Sequence, residues 1–377
     1  MSGSTDPFDR KALDRRVAAV RERLADDAAD GVVCFPSSNL RYLTGIAETP
    51  GERHFLYLLP IEGDPALLVP ELSAADVRGT APDTEVRSWS DEDDPVPAVR
   101  RLLVDRGVRE GRLLVDDTMW ARFTQDLRTA APEAEWGLAS EVLDDVRVRK
   151  DDAEIAAIER ASGIADSVLA DLRDLGSDVV GMTEAELAEL IDDRLSERGG
   201  EAPAFETIVA SGANGAKPHH HRGDRPIEEG DPVVLDFGTR VDGYPSDQTR
   251  TLVFDGEPDD RFREVHRIVR RAQRAGVEAV EPGVSASAVD EAARSVIESA
   301  GYGEAFVHRT GHGVGLDVHE EPYAVAGNDR ILEPGMVLSV EPGVYLEGEF
   351  GIRIEDLVVV TADGARRLNR TDRGWSC

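Results

Sequence analysis

The chain has 377 residues and a formal net charge of −32, from 75 acidic side chains set against 43 basic ones. A surface so acidic repels phosphate backbones and anionic bilayers, which argues against nucleic-acid and membrane-surface partners, and no run of about 18 apolar residues offers a transmembrane span. The two cysteines, Cys34 and Cys377, supply neither a disulfide framework nor a thiolate metal site, and residues 1–16 (MSGSTDPFDRKALDRR) lack an apolar signal region, so a soluble, cytoplasmic protein is expected.

Residues 9–25 carry apolar side chains at helical spacing (Leu13, Val17, Val20, Leu24) and lead through Gly31 into a strand over 32–35. Strands are expected near 55–59, 66–69 and 112–115, with helices near 72–78, 96–106 and 119–130, the alternation of an α/β domain. The acidic segment 90–97 reads as a surface loop, and His54 and His266 read as surface residues. Around residues 144–152 the pattern changes to long amphipathic helices. The first covers 151–175; the next opens on a capping box of Thr183 and Glu186, ahead of Leu187, Leu190, Ile191 and Leu195. The domain boundary is therefore placed after residue 149, giving domains 1–149 and 150–377. Beyond it the order is a strand at 205–211, a hairpin, helices at 260–280 and 287–300, a strand at 304–308 and a second hairpin.

The hairpins carry the chemistry. Residues 230–251 (GDPVVLDFGTRVDGYPSDQTRT) place Asp236 and Asp247 on two arms, and with an apex near Val241 and Asp242 the two acids face each other across the pair. An unpartnered carboxylate inside an apolar strand is costly. About a hundred residues on, Gly335, Glu341 and Gly343 repeat the spacing of Gly230, Asp236 and Gly238, and Glu355 falls opposite Glu341 across a turn at Gly348 and Glu349. Six of the eight histidines fall in two clusters, His219, His220 and His221, then His308, His312 and His319. The glycines around His312 read as a backbone that lets a side chain approach a buried ion, not as a dinucleotide loop, since no helix follows. Asp236, Asp247, His312, Glu341 and Glu355 together make four carboxylates and one imidazole. Four acids in one apolar pocket stay ionised only with cations. Bridging carboxylates favour two divalent ions, and oxygen-rich ligation with one histidine favours Mn²⁺, with Co²⁺, Fe²⁺ and Zn²⁺ as alternatives.

In its second half the chain resembles the pita-bread metallopeptidases, in the branch that holds aminopeptidase P and prolidase. The resemblance rests on residues 211–219 (SGANGAKPH), 235–238 (LDFG), 246–251 (SDQTRT), 311–320 (GHGVGLDVHE), 340–345 (VEPGVY) and 351–356 (GIRIED). More weakly, residues 35–45 (FPSSNLRYLTG) resemble the opening of the amino-terminal domain of the creatinase and prolidase branch. The resemblance implies an α/β amino-terminal domain followed by an α+β catalytic domain of pseudo-twofold symmetry, a homodimer, and hydrolysis of peptides with proline in second position. Asp236 and Asp247 would chelate one ion, His312 would bind the other, and Glu341 and Glu355 would complete and bridge the pair. A bridging hydroxide would attack the scissile carbonyl, with Glu341 as proton shuttle. His308 would hydrogen-bond the tetrahedral intermediate or the leaving nitrogen, His219 and His319 would shape the proline pocket, Arg353 would orient Glu355, and Tyr345 would donate a hydrogen bond nearby. His220 and His221 read as loop residues. Rival readings on the same scaffold are a metal-free creatinase-like hydrolase, a metal-dependent lyase acting on a small acid, and a binding module that has lost its ligands; all five ligand positions are filled here. Three lysines in the whole chain, with an aspartate excess, match proteins that work at high ionic strength, where self-repulsion is screened.

Overall fold

In the computed structural model, which describes residues 6–81 and 84–377, the chain divides between Arg147 and Val148 into two units. The first is built on β1 (Gly31–Cys34), β2 (Leu56–Pro60), β3 (Ala66–Pro70), β4 (Glu85–Trp89), β5 (Arg112–Val115) and β6 (Glu135–Leu138), in the spatial order β4-β3-β2-β1-β5-β6. Strands β1 to β3 are buried along their whole length, which is why they read as unbroken apolar runs. The edges β4 and β6 are partly exposed, and their polar sequences EVRSW and EWGL hide them from pattern reading.

Around this sheet lie α1 (Arg10–Asp26), α2 (Ser38–Thr44), α3 (Ala74–Thr80), α4 (Val96–Asp105), α5 (Ala121–Ala130) and α6 (Ser140–Arg147). The segment FPSSNL has a structural task. Ser37 caps α2, and the buried Asp116 after β5 accepts hydrogen bonds from Phe35 N (2.8 Å), Ser37 Oγ (2.9 Å) and Asn39 Nδ2 (2.5 Å), tying the helix start to the sheet. His54 is not a surface residue: it is 1% exposed, edge-on to Phe123 and 3.0 Å from Asp126.

The second unit runs helix, helix, strand and hairpin, twice. Its first half holds α7 (Asp152–Leu175) and α8 (Glu184–Glu197), both opened by capping boxes, then β7 (Ile208–Ser211), β8 (Val233–Phe237), β9 (Arg240–Val241), β10 (Tyr244–Pro245) and β11 (Gln248–Leu252). The sheet order is β11-β8-β7, and its apolar face packs Val209, Leu235, Phe237 and Leu252 against Leu169, Leu187 and Ile191 of the helices. The second half holds α9 (Asp260–Ala279), α10 (Ala286–Ser299), β12 (Gly311–Gly313), β13 (Glu320–Ala324), β14 (Val337–Val340), β15 (Gly343–Leu346), β16 (Phe350–Arg353), β17 (Asp356–Thr361) and β18 (Gly364–Arg367), with sheet order β13-β12-β14-β17-β18 and β15 paired to β16. Each copy of the repeat opens on a glycine in the left-handed region, Gly230 at φ 83° and Gly335 at φ 92°, a conformation that side chains disfavour. His266, read as exposed, lies in the core of α9 at 4% exposure.

Residues 304–308 are not a strand. Gly303–Ala305 is a single 3₁₀ turn, and the carbonyls of Phe306 (3.2 Å) and His308 (2.8 Å) accept from the Arg294 guanidinium instead of a neighbouring strand. Phe306 buried beside Val307 at 65% exposure imitates strand alternation in the sequence, but an arginine has taken the place of the ladder.

Candidate active site

The first hairpin turns at Asp242 (φ 51°) and Gly243 (φ 80°), both in the left-handed region that a two-residue hairpin turn requires. This is one residue later than expected, and Asp236 pairs with Thr249, not with Asp247. Because side chains alternate with period two, the shift leaves the two aspartates as diagonal neighbours on one face. In the second hairpin, β14–β17 and β15–β16 share one register: Val340 faces Asp356 and Gly343 faces Arg353, so Glu341 and Glu355 fall opposite each other between the two ladders. Their amides leave the pairing, Glu341 N donating to Thr310 O (2.7 Å) and Glu355 N to Thr249 O (3.1 Å), which ties the second hairpin to β11 and to the segment before β12.

Asp236, Asp247, His312, Glu341 and Glu355 all line one cleft of about 400 Å³. Ligand atoms of Asp247, His312 and Glu355 lie within 4.8 Å of one another, close enough for one ion to touch all three. Nε2 of His312 is 3.2 Å from Glu341 Oε1 and 3.7 Å from Asp247 Oδ2. Its Nδ1 lies 3.2 Å from the carbonyl of Gly313, which can only accept, so Nδ1 carries a proton and the ring turns Nε2 toward the carboxylates.

The electrostatics agree. Burial, then the charges of Glu355, Asp236 and Glu341, push Asp247 well above the usual carboxylate range; burial, then Glu341 and Asp236, do the same to Glu355. Burial also raises Asp236, against the pull of Arg353. Glu341 goes the other way: burial opposes its charge, but the hydrogen bond and charge of His312, with His308 and Arg353, hold it down at about 2. Asp236 Oδ1 and Glu355 Oε1 are buried with no hydrogen-bond partner. Two orphaned carboxylate oxygens, with the Nε2 of His312 in the same cleft, are what divalent ions would satisfy. The residues fit the metals that their chemistry demands.

The supporting contacts differ from expectation in one respect. Arg353 does not hold Glu355: its Nη2 donates to Asp236 Oδ2 (2.6 Å) and its Nη1 to the Tyr345 hydroxyl (2.8 Å). Glu355 is held by Thr249 Oγ1 (2.7 Å), a residue that sequence reading passed over, although it stands in the SDQTRT segment. The reason is register, since Thr249 occupies the place across from Asp236 that Asp247 was expected to fill. The Tyr345 hydroxyl accepts from Arg353 and donates to His308 Nε2 (2.8 Å), while His308 Nδ1 donates to Arg309 O (2.7 Å). Burial lowers His308, which suits this neutral, acceptor form. His319 packs edge-on against His312 with ring centroids 4.1 Å apart. His219, His220 and His221 all line the cleft; His220 is pinned to the buried Glu184 (2.7 Å), which also accepts from Ser211 N (2.8 Å) and Asn214 Nδ2 (3.0 Å) and so anchors the loop. Phe205, Glu206, Ile208, Pro218, Arg309 and Val318 complete the wall, none of them singled out from the sequence.

Comparison with known proteins places this geometry. Residues 156–362 match the model of metallopeptidase family M24, and residues 16–149 that of the creatinase/prolidase N-terminal domain. The chain is 43% identical over 366 residues to a probable dipeptidase PepE of Mycobacterium tuberculosis, covering 96% of each. It is 36% identical over 342 residues to an Xaa-Pro dipeptidase of Lactobacillus helveticus, covering 89% of this chain and 91% of that one. The crystal structure of a prolidase from Thermococcus sibiricus superposes with a TM-score of 0.92 at 38% identity, covering 97% of this chain and 98% of that one. With a creatinase/prolidase-type domain ahead of a pita-bread catalytic domain, the chain belongs to metallopeptidase family M24.

Proposed function

We propose that this metallo-exopeptidase cleaves Xaa-Pro bonds in short peptides, using two divalent ions, Mn²⁺ foremost, held by Asp236, Asp247, His312, Glu341 and Glu355. The observation that carries the reading is the convergence of these side chains on one cleft with two carboxylate oxygens left unpartnered. When bound, the metals supply Lewis acidity at the scissile carbonyl and activate water near neutral pH.

The remaining chemistry belongs to the chain. Glu341, kept ionised beside His312, takes the proton of the attacking water and delivers it to the leaving nitrogen. That delivery matters for proline, whose tertiary amide nitrogen carries no hydrogen of its own. Arg353 holds Asp236 and, through Tyr345, sets the His308 ring. Once it releases the Tyr345 hydroxyl, His308 can accept from the N–H of the protonated leaving nitrogen at Nε2, and would serve the tetrahedral oxygen only after Nε2 itself takes up a proton. Phe205, Ile208, Pro218 and Val318 offer an apolar wall to a pyrrolidine ring, with His219 and His319 at its polar side. We place the enzyme in the cytoplasm as a homodimer, at high ionic strength. A creatinase-like, metal-free reaction is disfavoured because such chemistry has no use for four clustered carboxylates.

The test offers Mn²⁺-loaded protein Ala-Pro, Ala-Pro-Ala and Ala-Ala in molar KCl and measures free amino acids. Cleavage ahead of proline but not of Ala-Ala is expected, and Asp236→Ala should abolish it while the protein stays folded. A variant with near-normal turnover would remove the assignment. Glu341→Gln should keep metal, by elemental analysis, while losing turnover.

A further inference from the structure

The chain as a whole is strongly acidic, yet residues 364–377 carry Arg366, Arg367, Arg370 and Arg373 against a single acidic side chain, Asp372. Two of these arginines are matched: Arg366 and Arg370 both reach Glu159, at 3.0 and 2.7 Å. The other two approach Asp356, which opens β17 and is fully buried. Asp356 has little left to offer them. Its Oδ1 accepts from Arg250 Nη2 (2.7 Å) and its Oδ2 from Gln273 Nε2 (3.0 Å) of α9. Around that one carboxylate stand three guanidiniums, Arg250 at 2.7 Å, Arg367 at 3.0 Å and Arg373 at 3.9 Å, which leaves the cluster two positive charges in excess. Asp372 does not close the gap: besides the Gly374 amide, its charge answers to Arg270, Arg173 and Arg250.

Arg367 shows the deficit atom by atom. Its Nη2 is buried and donates to nothing, and its Nε, although 3.0 Å from Asp356 Oδ2, makes no hydrogen bond. Among the described residues Asp356 is the one carboxylate within ion-pair range of Arg367 or Arg373. Burial, then the charge of Arg367, lower Arg373, so the two cations oppose each other. A buried N–H without an acceptor, set among like charges, is costly, and a small anion would answer both deficits at once. The side chains of Arg367 and Arg373 are 29% and 20% exposed, which gives an ion a way in from solvent. Asp356 Oδ2 stands at the Nε end of Arg367 and spoils the side-on fork for a planar oxyanion, whereas a spherical acceptor needs only single N–H groups that converge.

We propose that a chloride ion binds between Arg367 and Arg373 beside Asp356, at a stabilising site whose residues do not line the catalytic cleft. The site holds whatever substrate the cleft takes. It bears on the metal centre through the backbone: Arg250, which grips Asp356, also donates to the carbonyls of Thr249 (2.8 Å) and Glu355. Neutralising the cluster therefore steadies the point where Glu355 passes into β17. Screening of the acidic surface by salt acts without a binding site and does not saturate at low concentration; a bound ion does.

The test follows thermal unfolding of Mn²⁺-loaded wild type, Arg367→Gln and Arg373→Gln at a constant ionic strength of about 0.5 M, with potassium chloride replacing potassium gluconate stepwise, so that screening stays the same throughout. Wild type should melt about 3 °C higher in chloride, with half of the gain reached by roughly 20 mM, and bromide should act alike. In gluconate each variant should be as stable as wild type or more so, because it removes one cation from a crowded cluster, and neither should gain from chloride. The chlorine NMR line should broaden with wild type and stay sharp with the variants, since the rest of the surface is acidic and repels the ion. Either variant suffices for the comparison. A wild type indifferent to chloride at matched ionic strength, variants that gain as much as wild type, or protection by phosphate in place of chloride would each overturn the site. Variants less stable than wild type by the same amount in both salts would overturn it as well, showing Arg367 and Arg373 to be plain ion-pair partners of Asp356.

Discussion

Thr249 shows how a single side chain can couple the two hairpins. Its hydroxyl donates to Glu355 Oε2 (2.7 Å) and accepts from Arg353 Nε (3.2 Å), while that arginine grips Asp236. One hydroxyl therefore orients a carboxylate from the second half and steadies the cation that orients a carboxylate from the first. Removing it frees Glu355 to rotate and leaves a buried guanidinium N–H without an acceptor. Thr249→Ala should weaken metal binding about 10–100-fold, read by competition with a chelator, with the circular dichroism spectrum unchanged and Thr249→Ser close to wild type. Unchanged affinity would show that Glu355 needs no such support. Of the five candidate ligands, the four acids stood out because they recur at matched places in two copies of one hairpin pattern, and His312 because glycines flank it. The contacts of Arg353 were not legible. Residues 353 and 355 do share a strand face, but which carboxylate the guanidinium reaches depends on the strand lying across from it, and sequence carries no record of that depth. The burial of His54 and His266 was hidden for a related reason: a single histidine on a helix or loop reads as polar until the packing around it is known.

At the scale of elements, strands buried on both faces and the longer helices were readable, whereas the short helices α2 and α6 and the edge strands were not, β4 and β6 because their position leaves them half polar. The mistaken strand at 304–308 has a sharper lesson. Arg294, held by two hydrogen bonds to Asp290 (2.9 and 3.0 Å), does for the carbonyls of Phe306 and His308 what a neighbouring strand would have done. Asp290 is buried and also receives Thr310 N and Oγ1, so helix α10 is clamped to the segment that presents His308 and Arg309. Arg294→Ala leaves two carbonyls short of donors and a buried carboxylate short of its cation, and should cost about 3 kcal/mol in urea unfolding. Because the loss falls on the segment carrying His308, turnover should fall in the variant even under conditions where it is fully folded. Arg294→Lys should recover little, since one ammonium cannot reach four acceptors in a plane. A variant as stable as wild type would mean that water replaces the guanidinium at no cost.

Across the whole molecule two electrostatic effects meet with opposite signs on acidification. A net charge of −32 makes the folded state repel itself, and salt screens this, the Debye length falling from about 10 Å at 0.1 M to about 3 Å at 1 M. The melting temperature should therefore rise by about 5 °C or more between dilute buffer and 2 M KCl, and indifference to salt would contradict the high-ionic-strength reading. Taking up protons on carboxylates relieves the same repulsion. His266 acts against this. Burial, then the charges of Arg270 and Arg173, lower it to about 4, and its Nε2 is buried without a partner, so it folds neutral. Between that value and the ordinary histidine range the unfolded chain binds the extra proton, so stability from this group is complete at pH 7 and is lost as pH falls toward 4. In 2 M KCl, where surface repulsion is screened, the burial of His266 is not. There, moving from pH 7 to pH 5 should cost wild type about 2 kcal/mol more in unfolding free energy than His266→Gln, whose side chain has no proton to gain. Equal losses in the two proteins would mean that the ring is protonated in the fold, and that one of the partners around α9 must be a carboxylate and not a second cation.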